Sequence, residues 1–484
     1  MTDRPGRRTR RTLLRSLGVA AAVGLAGCNS GGDDTTASST TSGVPTTTAT
    51  GTSTDTATET TDQPAGDVTE AARQFVEQWS AGKNEAAAEQ FTPQVAAQLD
   101  PAALGQLWAN LQQESGAFVG IDGLEESTVQ EYRAVVVRLR FAQGLQGLRL
   151  VFDDQAKIAG LQFVSVADTE WTPPEYVDMD AISTTTVEVD GPGDCVLPGE
   201  VTVPKSALET DGDGPPSLVL LGGSGPTDRD GTVGPNKPYR DLAYGLATDG
   251  SASLRYDKRT AVCQVDPATL TIDDEYTDDA VAAIDRLRTA PGTDDGQTVV
   301  VGHSLGAKLA PRVATRAEGV AGVVLLAPPG RPLHDLVLEQ TRYIAELDGS
   351  VSDEEQAQLD AVEAAVERVE ALDIGDGETV LGGGRAYWES LREYDAFATA
   401  RDLSVPIFVA RGSRDYQVTE TDMQQWQDEL AGQSDVTFRT YDGLNHLFVS
   451  GEGQPSPTEY AEPGHVAPEV VADLATWLDA RWSA

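Results

Sequence analysis

The residues most suited to chemistry are Gly302-His303-Ser304-Leu305-Gly306, set between an apolar run, Thr298–Val301, and a helical pattern, Leu305–Arg316. A G-x-S-x-G pentapeptide at a strand-to-helix junction forces a turn too tight for side chains two residues before or after the serine. Ser304 is thereby a candidate nucleophile. The Leu305 amide is a candidate donor to the oxyanion that forms when a carbonyl is attacked. A hydroxyl attacks well only when a base removes its proton, and the chain has four histidines. His303 lies in the turn itself, with its side chain expected on the far side from Ser304. His334 precedes a helical stretch and His465 opens the last helix. His446 directly follows the final expected strand in Gly443-Leu444-Asn445-His446, where a loop can carry an imidazole back over Ser304. It is the candidate base, and His465 is its rival.

An imidazole acting this way needs a carboxylate to fix its tautomer and stabilise its charge. Asp415, in Arg411-Gly412-Ser413-Arg414-Asp415 after the strand Pro406–Ala410, has the right place in chain order. A second oxyanion donor is expected from Leu221-Gly222-Gly223-Ser224-Gly225-Pro226, as the amide of Ser224 or Gly223. Glycines there let the backbone approach a substrate oxygen.

These loops need a scaffold. Short apolar runs at Ser183–Val189, Glu200–Val203, Ser217–Leu221, Ala252–Tyr256, Thr298–Gly302, Gly322–Leu325, Pro406–Ala410 and Val436–Tyr441 alternate with helical patterns for most of their length. That alternation calls for a mostly parallel sheet covered on both faces. Residues 331–400 interrupt it with a helical segment holding 17 acidic and 5 basic residues, expected as a lid. Its aromatics Tyr343, Tyr387, Trp388 and Tyr394 suit core packing or an acyl pocket. Upstream, Val68, Ala71, Ala72, Phe75, Val76 and Trp79 fall at helical spacing, followed by two more helical stretches. Four runs of period two then follow, with turns expected at Gly123, Gly144 and Asp153-Asp154. The module, 67–166, is therefore α+β, and Trp171-Thr172-Pro173-Pro174 marks a linker over 167–182 before the domain at 183–484.

The blocks Gly223-Ser224-Gly225-Pro226, Gly234-Pro235-Asn236-Lys237-Pro238 and Leu254-Arg255-Tyr256-Asp257-Lys258-Arg259-Thr260, with the pentapeptide, resemble a group of bacterial α/β-hydrolases with carboxylesterase activity. That group is related to dienelactone hydrolases and serine aminopeptidases. The resemblance implies an α/β-hydrolase fold, a triad of Ser304, Asp415 and His446, an oxyanion loop at Ser224, a small-molecule ester substrate and no cofactor. Gly222 departs from the histidine that many hydrolases carry before the oxyanion glycine. The preceding module resembles a small domain of unknown function found ahead of such hydrolases, with an NTF2-like element order. A peptidase or thioesterase would use the same triad, although oligopeptidases of this fold usually carry a large propeller. A non-catalytic surface lipoprotein is the alternative of another class.

The chain's 484 residues carry a net charge of −42, with 77 acidic residues and lysine only at 83, 157, 205, 237, 258 and 308. That balance suits a salty exterior and excludes nucleic-acid binding, which needs a basic patch. Thr9-Arg10-Arg11-Thr12-Leu13-Leu14 is a twin-arginine pattern, the apolar run Leu17–Ala26 follows, and Leu25-Ala26-Gly27-Cys28 resembles a lipobox. The expectation is a signal peptide over 1–27, lipidation and membrane anchoring at Cys28 on the extracellular face, and a Thr/Ser-rich disordered tether over 28–66. Cys195 and Cys263 remain, with their pairing open. No Cys/His cluster suggests a metal.

Overall fold

The computed structural model describes residues 68–482, apart from short stretches at 116–117, 130–131, 142–143, 154, 165–170, 210–213 and 294–295. The expected signal peptide, Cys28 and the tether lie outside the described residues. Among those described, no helix is long and apolar enough to cross a membrane.

In the first module, Val68–Ser80 (α1) buries Val68, Ala72, Phe75, Val76 and Trp79 on one face, as the helical period requires. Asn84–Ala88 (α2), Pro93–Gln98 (α3) and Pro101–Ser115 (α4) follow. Then come four antiparallel strands in sequential order: Phe118–Val129 (β1), Tyr132–Phe141 (β2), Gly144–Phe152 (β3) and Ile158–Val164 (β4). The turn expected at Gly123 is instead a bulge. β1 continues through Gly123, which pairs with Arg138 after a register shift from Ile121. A bulge bends a strand without ending it, and the Glu126–Arg133 ion pair at 2.7 Å lies on the continuation. Aromatic and aliphatic residues of the helices and strands share one core, in which Trp79 donates its indole N–H to the Leu104 carbonyl at 2.8 Å.

The second domain is built on Ile182–Asp190 (β5), Val196–Pro204 (β6), Ser217–Leu221 (β7), Ala252–Tyr256 (β8), Thr298–His303 (β9), Val320–Leu326 (β10), Ile407–Gly412 (β11) and Val436–Tyr441 (β12). Their spatial order is β12-β11-β10-β9-β7-β8-β6-β5. From β7 onward the neighbours run parallel, while β5 and β6 form an antiparallel edge. Every residue of β7, β8, β9 and β11 is buried, which is why these strands read as continuous apolar runs. The helices are Pro238–Thr248 (α5), Arg259–Val262 (α6), Asp278–Arg288 (α7), Leu305–Arg316 (α8), Leu333–Ala345 (α9), Asp353–Ala371 (α10), Arg385–Glu393 (α11), Ala396–Asp402 (α12), Glu420–Glu429 (α13) and Pro468–Trp482 (α14). Val219 and Ile284 share one apolar layer; Leu218 and Trp477 share the other. Alternate residues of one strand thus feed opposite faces.

The segment 331–400 forms α9 to α12 and is anchored at both ends. Arg331 pairs with the buried Asp422 at 2.7 Å, and the Tyr394 hydroxyl donates to the Lys308 carbonyl at 3.0 Å. Trp388 and Tyr394 lie in the main core with Tyr387 packed against it, while Tyr343 stacks on Tyr416 at 5.0 Å. The stretch read as a linker is, from Trp171 onward, fastened to this domain. Trp171 donates its indole N–H to Asp241 at 2.8 Å, and the Tyr176 hydroxyl donates to the Val466 carbonyl at 2.8 Å. Cys195 and Cys263 are disulfide-bonded, with Cα atoms 5.9 Å apart, tying β6 to the end of α6.

Candidate active site

The carboxyl ends of the central parallel strands, at the point between β7 and β9 where the strand order reverses, are where this class of sheet places its ligands. Ser304 stands there, between β9 and α8, with φ 56° and ψ −123°. A non-glycine residue pays for that backbone conformation and persists in it only where its surroundings enforce it. They do: the Ser304 N–H donates to Leu326 at 2.9 Å, and its carbonyl accepts from Ala307 and Lys308 at 2.9 and 3.1 Å. A Cβ on Gly302 would lie 2.3 Å from the Gly306 carbonyl oxygen, and one on Gly306 would lie 2.4 Å from that of Gly222. Both glycines are therefore dictated by close approach, and the second shows the turn packed against the loop after β7. Leu305 is the first residue of α8, so its amide is among those a helix start leaves without an intrahelical partner.

The loop after β11 carries Asp415 and the loop after β12 carries His446. His446 Nδ1 lies 2.7 Å from Asp415 Oδ2, and both residues are buried. The other oxygen, Oδ1, accepts from the Gln417 and Val418 amides at 2.8 and 2.9 Å. With Nδ1–H donated to a carboxylate, a neutral His446 leaves Nε2 as a free base. Asn445 shapes the turn by accepting the Leu447 and Val449 amides at 3.0 and 3.1 Å.

His303 links the loops, its ring centroid 4.7 Å from that of His446. Burial, assisted by the neighbouring His446, pushes its pKa down to about 3, so the ring is neutral and carries one N–H. Its Nε2 donates to the His446 carbonyl at 2.8 Å, and its Nδ1 accepts the Tyr239 hydroxyl at 3.0 Å. Tyr239 in turn accepts the Gly223 N–H at 3.1 Å. The chain segments bearing Ser304, His446 and the Gly223 loop are thus joined by one directional relay. A Cβ on Gly223 would lie 3.3 Å from that of Ser304, so the loop abuts the serine.

Of the two oxyanion alternatives, the Gly223 amide is occupied by Tyr239. Among the described residues nothing accepts the Ser224 N–H. His465, the rival base, is paired with Asp241 at 3.2 Å and lies edge-on to Trp171. His334 lies beside Asp335 on α9. His334, Asp335 and Glu370 bring ligand-type atoms within 4.8 Å of one another, but this group includes no residue of the Ser304, Asp415 or His446 loops.

Residues 236–453 match the serine aminopeptidase S33 family of hydrolases, and residues 72–161 match a family described as a protein of unknown function, DUF3887. Esterase EstD of Thermotoga maritima is 38% identical over 405 residues, which span 84% of this chain and 93% of the relative. The chain belongs to this α/β-hydrolase family. Solved structures with partial overlap include a Pyrococcus furiosus esterase, with TM-score 0.41, 16% identity and 66% of this chain against 97% of that one. A second is a brefeldin A esterase described as a bacterial homologue of human hormone-sensitive lipase. It has TM-score 0.39 and 20% identity, covering 65% of this chain and 80% of that one. The protein is a carboxylesterase-like hydrolase, and its match to EstD runs through most of the length of both chains.

Sequence reasoning passed over three residues that shape this hydrolase's site: Tyr239, Lys258 and Tyr276. Lys258 was visible as one of six lysines, inside Arg255-Tyr256-Asp257-Lys258-Arg259. In the structure the charged residues of that block are all ion-paired. Arg255 pairs with Asp230 and Glu200, Asp257 with Arg229 at 2.9 Å, and Arg259 with Asp279 at 2.5 Å.

Proposed function

We propose that this protein hydrolyses carboxylic esters of small molecules through an acyl-enzyme on Ser304. The observation that carries this reading is the buried Asp415–His446 pair at 2.7 Å, on loops joined through His303 to the strained serine turn. His446 Nε2 takes the Ser304 proton as the hydroxyl oxygen attacks the ester carbonyl, and the charge moves onto the carbonyl oxygen. The Ser224 and Leu305 amides bind that oxyanion, each contributing about 3 kcal/mol in the transition state. The C–O bond to the leaving alcohol breaks as the imidazolium returns the proton to it. Water, deprotonated by the same imidazole, then attacks the acyl-serine; the acyl C–O bond breaks as the imidazolium returns the proton to Ser304 Oγ, and the carboxylic acid product leaves. No step needs a cofactor or a metal.

Two observations favour esters over peptides: the esterase name of a relative matched over most of both chains, and an N-terminal module of only about 100 residues, too small for an oligopeptidase propeller. The test is hydrolysis of short-chain p-nitrophenyl esters, thioesters and amino-acid p-nitroanilides at multimolar salt. Ester turnover should dominate and vanish in Ser304→Ala with the circular dichroism unchanged. Turnover surviving Ser304→Ala, or a preference for the anilides, overturns the reading.

We also propose export by the twin-arginine route and anchoring through Cys28, on the strength of the motif order at the N-terminus. Cys28→Ser should move the protein from the membrane fraction to the medium; retention in the membrane would contradict the anchor.

A further inference from the structure

Lys258 is the least expected group beside the site. Its residue is 3% exposed, and an ammonium so buried is costly unless it is paired and hydrogen-bonded. Its Nζ lies 2.8 Å from the Glu275 carboxylate and 2.7 Å from the Tyr276 hydroxyl. The remaining partners are backbone carbonyls of the loop after β7: Gly223 at 3.0 Å and Gly225 at 2.9 Å. Tyr276, itself 2% exposed, donates its hydroxyl to the same Gly223 carbonyl at 2.7 Å. Burial raises the Tyr276 pKa well above its usual range, so that hydroxyl stays a donor.

The chemistry follows from peptide geometry. In a trans peptide the carbonyl of one residue and the N–H of the next lie in one plane and point in opposite directions. Drawing the Gly223 carbonyl toward Lys258 and Tyr276 therefore turns the Ser224 N–H the other way. Two donors use both acceptor sites of that carbonyl, and Tyr239 holds the Gly223 N–H. The peptide planes on both sides of Gly223 are thereby held. A charge-assisted bond to the carbonyl also polarises the amide, making its N–H the stronger donor. Lysine suits the place because a compact point charge reaches two carbonyls, a hydroxyl and a carboxylate at once, whereas arginine's planar fork does not.

We propose that Lys258 and Tyr276 are positioning residues that bind the Gly223 carbonyl from behind and thereby aim and polarise the Ser224 N–H as an oxyanion donor. This rests on the acyl-transfer reading above. The test compares Tyr276→Phe, which removes one hydroxyl, with Lys258→Met/Glu275→Gln, which removes both members of the ion pair and leaves no buried charge unpartnered. Steady-state ester hydrolysis and inhibition by a trifluoromethyl ketone, which binds serine hydrolases as a tetrahedral oxyanion, are measured on protein shown to be folded by circular dichroism. The expected result is a fall in kcat of about 10- to 100-fold with KM within about threefold. Trifluoromethyl-ketone affinity should weaken in step with kcat. A folded variant with unchanged kcat, or with reduced kcat but unchanged ketone affinity, overturns the assignment. Should the double variant not fold, Tyr276→Phe carries the test alone. Ser304→Ala is measured alongside: if it retains turnover, the acyl-transfer reading has failed, whereas loss there with wild-type behaviour in both variants defeats only the role of Lys258 and Tyr276.

Discussion

Among the described residues, two histidines of the hydrolase domain pair with a buried aspartate, and the two pairs have different surroundings. Asp415 and His446 meet at 2.7 Å with both side chains buried. Asp241 and His465 lie 3.2 Å apart, with the imidazole 33% exposed. The second oxygen of Asp415 is held by amides of its own loop, so that carboxylate serves the imidazole. Asp241 instead gathers distant segments: the Trp171 indole at 2.8 Å and the Val466 amide at 3.0 Å. Burial raises the Asp241 pKa while its three donors oppose the shift. An aspartate–histidine pair is not by itself the machine. The loop that delivers the imidazole to a nucleophile is, and only the first pair is joined through His303 to the Ser304 turn.

His446→Ala should lower kcat by about 10⁴-fold or more, while His465→Ala should stay within twofold of wild type. Comparable losses from both would erase the distinction. Asp415→Asn should cost about 10³- to 10⁴-fold, because the amide fixes the wrong tautomer; Asp241→Asn, assayed identically, should barely change kcat. Asp241→Asn should instead lower Tm by a few degrees, as expected when about 1 kcal/mol of latch bonding is lost from a domain of this size.

His303 supplies a pH test. Its pKa falls from the usual 6.5 to about 3 on folding, so the unfolded chain takes up its proton first as pH drops. The stability owed to a neutral His303 is therefore complete above pH 6.5 and is lost progressively toward pH 3. Denaturation midpoints of His303→Gln and wild type should differ most at pH 7 and converge as pH falls toward 4. A gap that is constant with pH would contradict a buried neutral ring.

Much of this site was legible because its demands are local. Gly302 and Gly306 flank Ser304 since a side chain at either would strike backbone, and Asp415 and His446 sit where loops must follow β11 and β12. What stayed hidden depends on contacts distant in sequence. Tyr239 reaches Gly223 across 16 residues and Tyr276 reaches it across 53, and their target is backbone, which leaves no side-chain pattern to read. The Cys195–Cys263 bridge spans 68 residues and could not be derived without a fold. Trp171 and Tyr176 looked like linker because prolines lie between them, yet their polar atoms find partners on α5 and before α14. Gly123 resembles a turn residue in isolation; only pairing along β2 reveals a bulge.

The covalent intermediate is proposed to form on Ser304. Its most direct test is intact and peptide-level mass spectrometry after exposure to a fluorophosphonate in high salt. The expected result is one adduct per chain, mapped to Ser304, suppressed by prior turnover of a slow ester and strongly slowed in His446→Ala. An unmodified Ser304 in folded protein that still hydrolyses esters, or an adduct on another residue, would contradict it.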